Sequence, residues 1–352
     1  MNPSDPKESN DTIGQLTTTR GAVMSSTSAT DSIQRHPLAF RRFLARHPLA
    51  TFLALVYVIY TAIALVPPLT DHAFPYDMPL WVAVGHLFGV AVPAVVVTWL
   101  ADGREGVRDL ARRCTRWRVA PRWYVASLFA MPAAFLLLAI VAIGDGPLDL
   151  LGDHWARMFT NVLPYLALSI LLFNVAEEIG WTGFFHARVQ ERYTALKACA
   201  VVAFPFALFH VPDFLVDEGW SVANIGPALA FLVFYTFILF FLRVVLVWLY
   251  NNTGGSVLIV GFFHSSFNTA VTRMSVDFLP SKAAGFLLMI SITIVAAVVT
   301  IVRTRGRLGY DRLQAGGAGG SQGRHRASGL PDPGAFTSAP PERRTPSRSS
   351  HG

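Results

Sequence analysis

Eight stretches of this chain, at about 49–66, 80–100, 123–143, 162–185, 197–212, 224–250, 257–273 and 284–302, are strongly apolar, and several hold no Lys, Arg, Asp or Glu at all. An α-helix rises about 1.5 Å per residue, so about twenty such residues cover a hydrocarbon layer about 30 Å thick. Of the 352 residues 53% are apolar and only 14% charged, whereas a soluble domain carries about a quarter charged. These features exclude a disordered or collagen-like chain for the bulk of the sequence. They imply an all-α, polytopic integral membrane protein with about eight transmembrane helices. The fifth run is short and the seventh is polar, so their bounds are the least defined.

Residues 1–34, rich in Ser, Thr and Asp, and residues 304–352, rich in Gly, Pro, Ser and Arg, are expected as disordered tails flanking a helical domain over 35–303, because neither can bury enough apolar surface to offset the entropy of ordering. The first 34 residues have no apolar core, so no cleavable signal peptide is expected and the first span serves as its own insertion signal. The net charge of +7 reflects Arg placed in connectors, which reads as a topology signal and not as a nucleic-acid footprint. Taking alternate connectors together, one side carries eighteen Lys and Arg and the other three. That places both termini in the cytoplasm of a multi-pass cell-membrane protein. In the connector after the second span, Val107, Leu110, Ala111, Cys114 and Trp117 recur at helical spacing beside Arg104, Arg108, Arg112 and Arg116, which fits an amphipathic helix on the cytoplasmic leaflet or a solvated basic connector. Cys114 and Cys199 have no CxxC or Cys/His company and are expected as free thiols.

Of the 22 acidic residues only Glu177 and Glu178 fall inside an apolar run. A charge there costs at least about 2.5 kcal/mol unless it meets a partner or a wet cavity, so a pair needs a reason. Three of the ten histidines, His86, His210 and His264, also lie in spans. His86 has no polar companion at helical spacing and reads as a structural histidine bonding a neighbouring helix. His210 follows Phe206 by four residues and His264 precedes Asn268 by four, so each pair shares a helix face. Counting helical rise from the span ends brings Glu177, His210 and His264 to overlapping depths. Two carboxylates, two imidazoles and a carboxamide from three helices are thereby expected to meet in one cavity opening to the cytoplasm. Arg243, the cation inside the sixth span, reads as snorkelling toward the headgroups, with no catalytic role.

Carboxylate, imidazole and amide supply a base and an electrophile for attack by water. No HExxH zinc helix is present, Gly254-Gly255-Ser256-Val257 is not a serine nucleophile motif, and Gly144-Asp145 lacks the second Gly of GxGD. Three motifs do occur in order: Glu177-Glu178-Ile179-Gly180-Trp181-Thr182-Gly183-Phe184, then Phe206 to His210, then His264 to Asn268. Together with Ala187 to Tyr193 and Trp248 to Ser256, they resemble the CPBP family over about residues 160–275. That family includes the type II CAAX prenyl endopeptidases and bacterial relatives described as bacteriocin-processing or immunity proteins.

The resemblance implies an intramembrane endopeptidase of the glutamate type, acting on a membrane-associated peptide or lipoprotein among membrane lipids, with no nucleic acid involved. By that likeness Glu177 is the general base working with His210, Glu178 a supporting carboxylate, and His264 and Asn268 the stabilisers of an oxyanion. The likeness leaves metal dependence open. Glu177, His210 and His264 could hold zinc with a free fourth position, although so unusual a ligand set favours a metal-independent site. The sequence departs from the family at one point: the pattern EExxxR has Thr182 at its Arg position. That removes the cation expected one turn after Glu178 and leaves it protonated or paired with another group, such as Arg188. A catalytically weakened scaffold or immunity-like protein of the same fold is the alternative this departure raises.

Overall fold

The structure is a computed structural model that describes residues 42–69, 79–144, 146–153, 155–219, 221–279 and 281–314. Residues 1–34 and 315–352 of the expected tails lie outside the described residues. The described residues form helices and turns: α1 (Pro48–Leu69), α2 (Ala83–Cys114), α3 (Pro121–Ile143), α4 (Met158–Gln190), α5 (Ala195–Phe209), α6 (Val211–Glu218), α7 (Ile225–Asn252), α8 (Val257–Thr269) and α9 (Lys282–Thr304). Seven helical stretches among the described residues are long and apolar enough to cross a membrane. An all-α polytopic membrane protein is the result.

The seventh apolar run, 257–273, holds α8, and its composition is what sets it apart from the other seven. It carries His264, Ser265, Ser266, Asn268 and Thr269, yet Ile259, Val260, Gly261, His264, Ser265, Ser266 and Thr269 are all buried. A helix with so many polar groups is costly against lipid and is instead surrounded by protein. It continues through a wide turn at Ala270–Met274 to Ser275–Asp277. Gly261 permits the enclosure: a Cβ there would lie 2.7 Å from Val175 Cγ2 and 3.0 Å from Val175 Cα on α4. Lipid-facing positions elsewhere keep their apolar side chains exposed, as at Val58, Leu137, Val141, Leu171, Val233 and Val295.

The connectors sort into two ends. At one end Arg188 pairs with Asp102, Arg113 Nη1 donates to Gly183 O (2.9 Å), Ser256 Oγ donates to Arg116 O (2.7 Å) and Asn251 Nδ2 donates to Leu308 O (3.2 Å). At the other, Asp277 accepts from Arg157 Nη1 (3.1 Å) and Asn161 Nδ2 (2.6 Å). The basic connectors therefore gather at one end, and the chain from Val257 to Asp277 runs from that end to the opposite one like the longer helices.

The basic connector after the second span is helical. Gly103, at φ 65°, kinks α2, and the turns beyond it carry Leu110, 2% exposed, onto Gly183. Part of the apolar stripe thus packs on the protein, while Trp117 stays exposed beneath Arg118. Residues 305–314 turn back under the bundle after Arg305, with Leu308 completely buried. Both cysteines are free.

Candidate active site

Glu177 and Glu178 sit on one regular turn of α4 between two wide, π-type segments, Ser169–Asn174 and Ile179–His186. Such widening leaves backbone carbonyls free to accept from side chains and often marks functional positions. Here Gly183 O takes Arg113 and Phe184 O takes Arg188. Gly180 lets α4 press against Val90 and Phe52, where a Cβ would collide.

The two adjacent carboxylates have opposite surroundings. Glu178 is completely buried and saturated: Arg243 Nη1 donates to Oε2 at 3.0 Å, Arg243 Nη2 to Oε1 at 3.1 Å, and Thr182 Oγ1 also donates to Oε2. His264 Nδ1 lies 2.8 Å from Oε1. A carboxylate holding a bidentate guanidinium only accepts, so Nδ1 of His264 carries the proton toward it. Glu177 is 2% exposed and ringed by imidazoles: His86 Nε2 at 3.6 Å, His210 Nε2 at 3.8 Å and His264 Nδ1 at 3.8 Å. Its Oε1 has no hydrogen-bond partner among the described residues.

His210 closes α5 as its C-cap, with its backbone leaving the helix at φ −89° and ψ −3°. Pro212 in the first turn of α6 restarts the chain there. Its ring packs edge-on against Phe206, Phe209 and Tyr235. Asp213 Oδ2 lies 3.4 Å from its Nδ1, and Asp213 Oδ1 accepts from Tyr60 Oη at 2.8 Å. Asn268 stands one turn beyond His264 and is half-buried. The five candidates Glu177, Glu178, His210, His264 and Asn268 therefore come from α4, the end of α5 and α8; Glu177 lies 3.8 Å from both His210 and His264, and Glu178 lies 2.8 Å from His264. Among the described residues no three His, Cys, Asp or Glu side chains converge closely enough to ligate a metal ion. Zinc on Glu177, His210 and His264 does not fit this arrangement.

Packing seals the side of the cluster toward the basic connectors. Trp181, Thr182, Phe184, Phe206, Arg243 and Val260 are all completely buried there. The partly exposed members, His210 (19%), Asp213 (18%) and Asn268, lie on the side away from it. Below the seal a second polar strip runs from His186 to Gln190 (3.2 Å) and on to Asn251 (3.0 Å), tying α4 to α7.

Three site neighbours differ from what the sequence suggested. Arg243 does not snorkel: it is completely buried, chelates Glu178 and stacks its guanidinium 4.2 Å from the Phe206 centroid. Arg188, named as a possible partner of Glu178, pairs with Asp102 instead. His86 does bond a neighbouring helix, but the group it meets is Glu177. Asp213, three residues after His210, was detectable by its i, i+3 spacing, but its place among connector residues masked it. Nothing in the sequence pattern connects His86 or Tyr60 to this cluster.

A buried Glu and His cluster inside an all-helical membrane bundle is the arrangement of an intramembrane hydrolase. Comparison with known proteins points the same way. The family described as type II CAAX prenyl endopeptidase, Rce1-like, matches residues 159–270, the stretch that holds Glu177, His210 and His264. The chain is also 20% identical over 186 residues, 51% of its own length and 68% of the relative's, to CAAX prenyl protease 2 of Methanococcus maripaludis. The resemblance read from the three motifs therefore stands, and the family it leads to is one of proteases.

Proposed function

We propose that this protein is an intramembrane endopeptidase that hydrolyses a peptide bond of a membrane-associated or lipidated substrate with water activated by Glu177 and His210. The observation that carries the reading is Glu177 Oε1, a buried carboxylate oxygen with no hydrogen-bond partner among the described residues, 3.8 Å from His210 Nε2. Every oxygen of the adjacent Glu178 is engaged. A water molecule between Glu177 Oε1 and His210 Nε2 can hydrogen-bond both. Asp213 Oδ2, 3.4 Å from Nδ1 of His210, favours the ring proton on that nitrogen, and the Nε2 lone pair is then the one that accepts from that water.

In the reaction, the water oxygen bonds to the scissile carbonyl carbon as its proton passes to Glu177. The carbonyl oxygen becomes an oxyanion beside Asn268, whose Nδ2–H donates to it, and His264, which donates from Nε2–H as an imidazolium with its Nδ1–H held by Glu178. Glu177 then returns the proton to the amide nitrogen, the C–N bond breaks, and a carboxylic acid and an amine form, which leave as a carboxylate and an ammonium once the acid's proton has passed to the amine. Buried, pre-aimed donors of this kind contribute more than they would in water, about 2.7–4 kcal/mol for one oxyanion donor in known enzymes.

The substrate class is carried over from the relative, whose name describes a CAAX prenyl protease. The excess of basic residues supports placing the end where those connectors meet in the cytoplasm. The site then lies within the membrane, with its partly exposed side at His210, Asp213 and Asn268 turned away from the basic end, which departs from the cytoplasmic opening expected from helical rise because packing around Trp181, Phe184 and Arg243 closes that side. The test is cleavage of membrane-anchored peptides in proteoliposomes by the wild type and by Glu177→Gln. Cleavage lost in the variant is expected; equal turnover by both would reject the reading and leave a scaffold of the same fold.

A further inference from the structure

Thr182 occupies the position where the family pattern has an Arg, and the structure shows where the missing charge comes from. Arg243 reaches Glu178 from α7, sixty-five residues along the chain, with both terminal nitrogens on the two carboxylate oxygens. Arg243 Nη1 also lies 2.7 Å from Thr182 Oγ1, and that hydroxyl in turn donates to Glu178. The short Thr side chain is what leaves room: a longer residue at 182 would occupy the space the guanidinium fills. All three residues are completely buried, so neither charge has water as an alternative partner.

We infer that Arg243 is a positioning residue for the proposed peptidase reaction, supplying from a separate helix the cation that fixes Glu178 and, through Glu178, the ring of His264. The link to chemistry runs through one hydrogen bond. Glu178 Oε1 receives His264 Nδ1–H at 2.8 Å, which fixes the rotation of the ring, and an imidazolium held in this way turns its Nε2–H toward a substrate oxygen. Arg243 itself touches no reacting atom. The ring of Phe206, from the second motif, packs on the same group, with the guanidinium carbon 4.2 Å from its centroid. The second Glu of the first motif, the Phe of the second and the His of the third are thus joined by a residue outside all three.

This inference rests on the peptidase reading, and two readouts separate their failures. The first is kinetic, on full-length protein in proteoliposomes with a membrane-anchored peptide. Arg243→Ala is expected to lower kcat about 100-fold with KM within about twofold, because the defect lies in stabilising the transition state and not in holding the substrate. The exchange variant Thr182→Arg/Arg243→Ala is expected to recover at least about tenfold of that loss, and Arg243→Lys to fall between. The second readout needs no activity: nitrogen-15 histidine spectra of the protein in lipid. His264 is expected with its Nδ1–H in a strong hydrogen bond to the carboxylate in wild type, with that signature lost or averaged in Arg243→Ala, and with it restored in the exchange variant. Wild-type kcat in Arg243→Ala overturns the inference, as does a folded exchange variant no better than Arg243→Ala, or a His264 signal unmoved by either change. If Arg243→Ala does not fold, the exchange variant and Arg243→Lys decide by the same criteria. If wild type cleaves no peptide and Glu177→Gln behaves identically, the peptidase reading fails while the histidine spectra still judge the role of Arg243.

Discussion

Glu177 and Glu178 are neighbours in sequence and share one helical turn, yet they belong to two different regions of the protein. Glu178 faces the sealed side, where Arg243, Thr182 and His264 satisfy both of its oxygens. Glu177 faces the looser side, where three imidazoles stand 3.6–3.8 Å away and one oxygen is unpartnered. A fully paired buried carboxylate cannot take a proton without breaking its pairs, and an unpaired one has nothing to lose by doing so. The contrast supports the proposed division, with structure and orientation at Glu178 and proton transfer at Glu177.

Glu177→Gln attacks the looser side and is expected to have the largest effect, a loss of turnover of about 10³-fold or more, in line with removal of a general base. Folding should be unaffected or improved, because a neutral amide is easier to bury; melting in detergent checks it. Glu178→Gln attacks the sealed side and strands Arg243. Breaking one partner of a buried ion pair costs about 3–5 kcal/mol, so a lower thermal midpoint is expected together with lost activity. Asp213→Asn sharpens the account of the looser side: removing the group that holds His210 Nδ1 should lower kcat about 10- to 100-fold with the midpoint unchanged. Gly261→Ala pushes α8 away from Val175 and with it moves His264 relative to Glu178. A cost of about 1–3 kcal/mol in stability is expected from overpacking, read by the same melting measurement.

Much of this was legible in the chain itself. Eight apolar runs define a helical membrane protein, and Glu177, His210 and His264 at overlapping depths point to the candidate site, because charges in hydrocarbon are tolerated only where they work or pair. What the pattern does not carry is pairing across helices. Arg243 stands out as a cation in a span, but its distance from a headgroup layer and its distance from Glu178 look the same in a linear sequence. His86 and Tyr60 reach the cluster only because α1 and α2 pack beside α4, which no spacing rule encodes. The polarity of α8 has a similar origin: a helix surrounded by protein is freed from the need to be apolar, so its crossing is weak in composition and plain in its end contacts.

The division of labour between the two carboxylates is best tested by measuring peptide turnover and thermal midpoint for Glu177→Gln and Glu178→Gln side by side, at matched amounts in the same lipid. The account expects Glu177→Gln to be inactive with a midpoint at or above wild type, and Glu178→Gln to lose both activity and several degrees of stability. Turnover retained by Glu177→Gln, or a Glu178→Gln protein as stable as wild type, would contradict it.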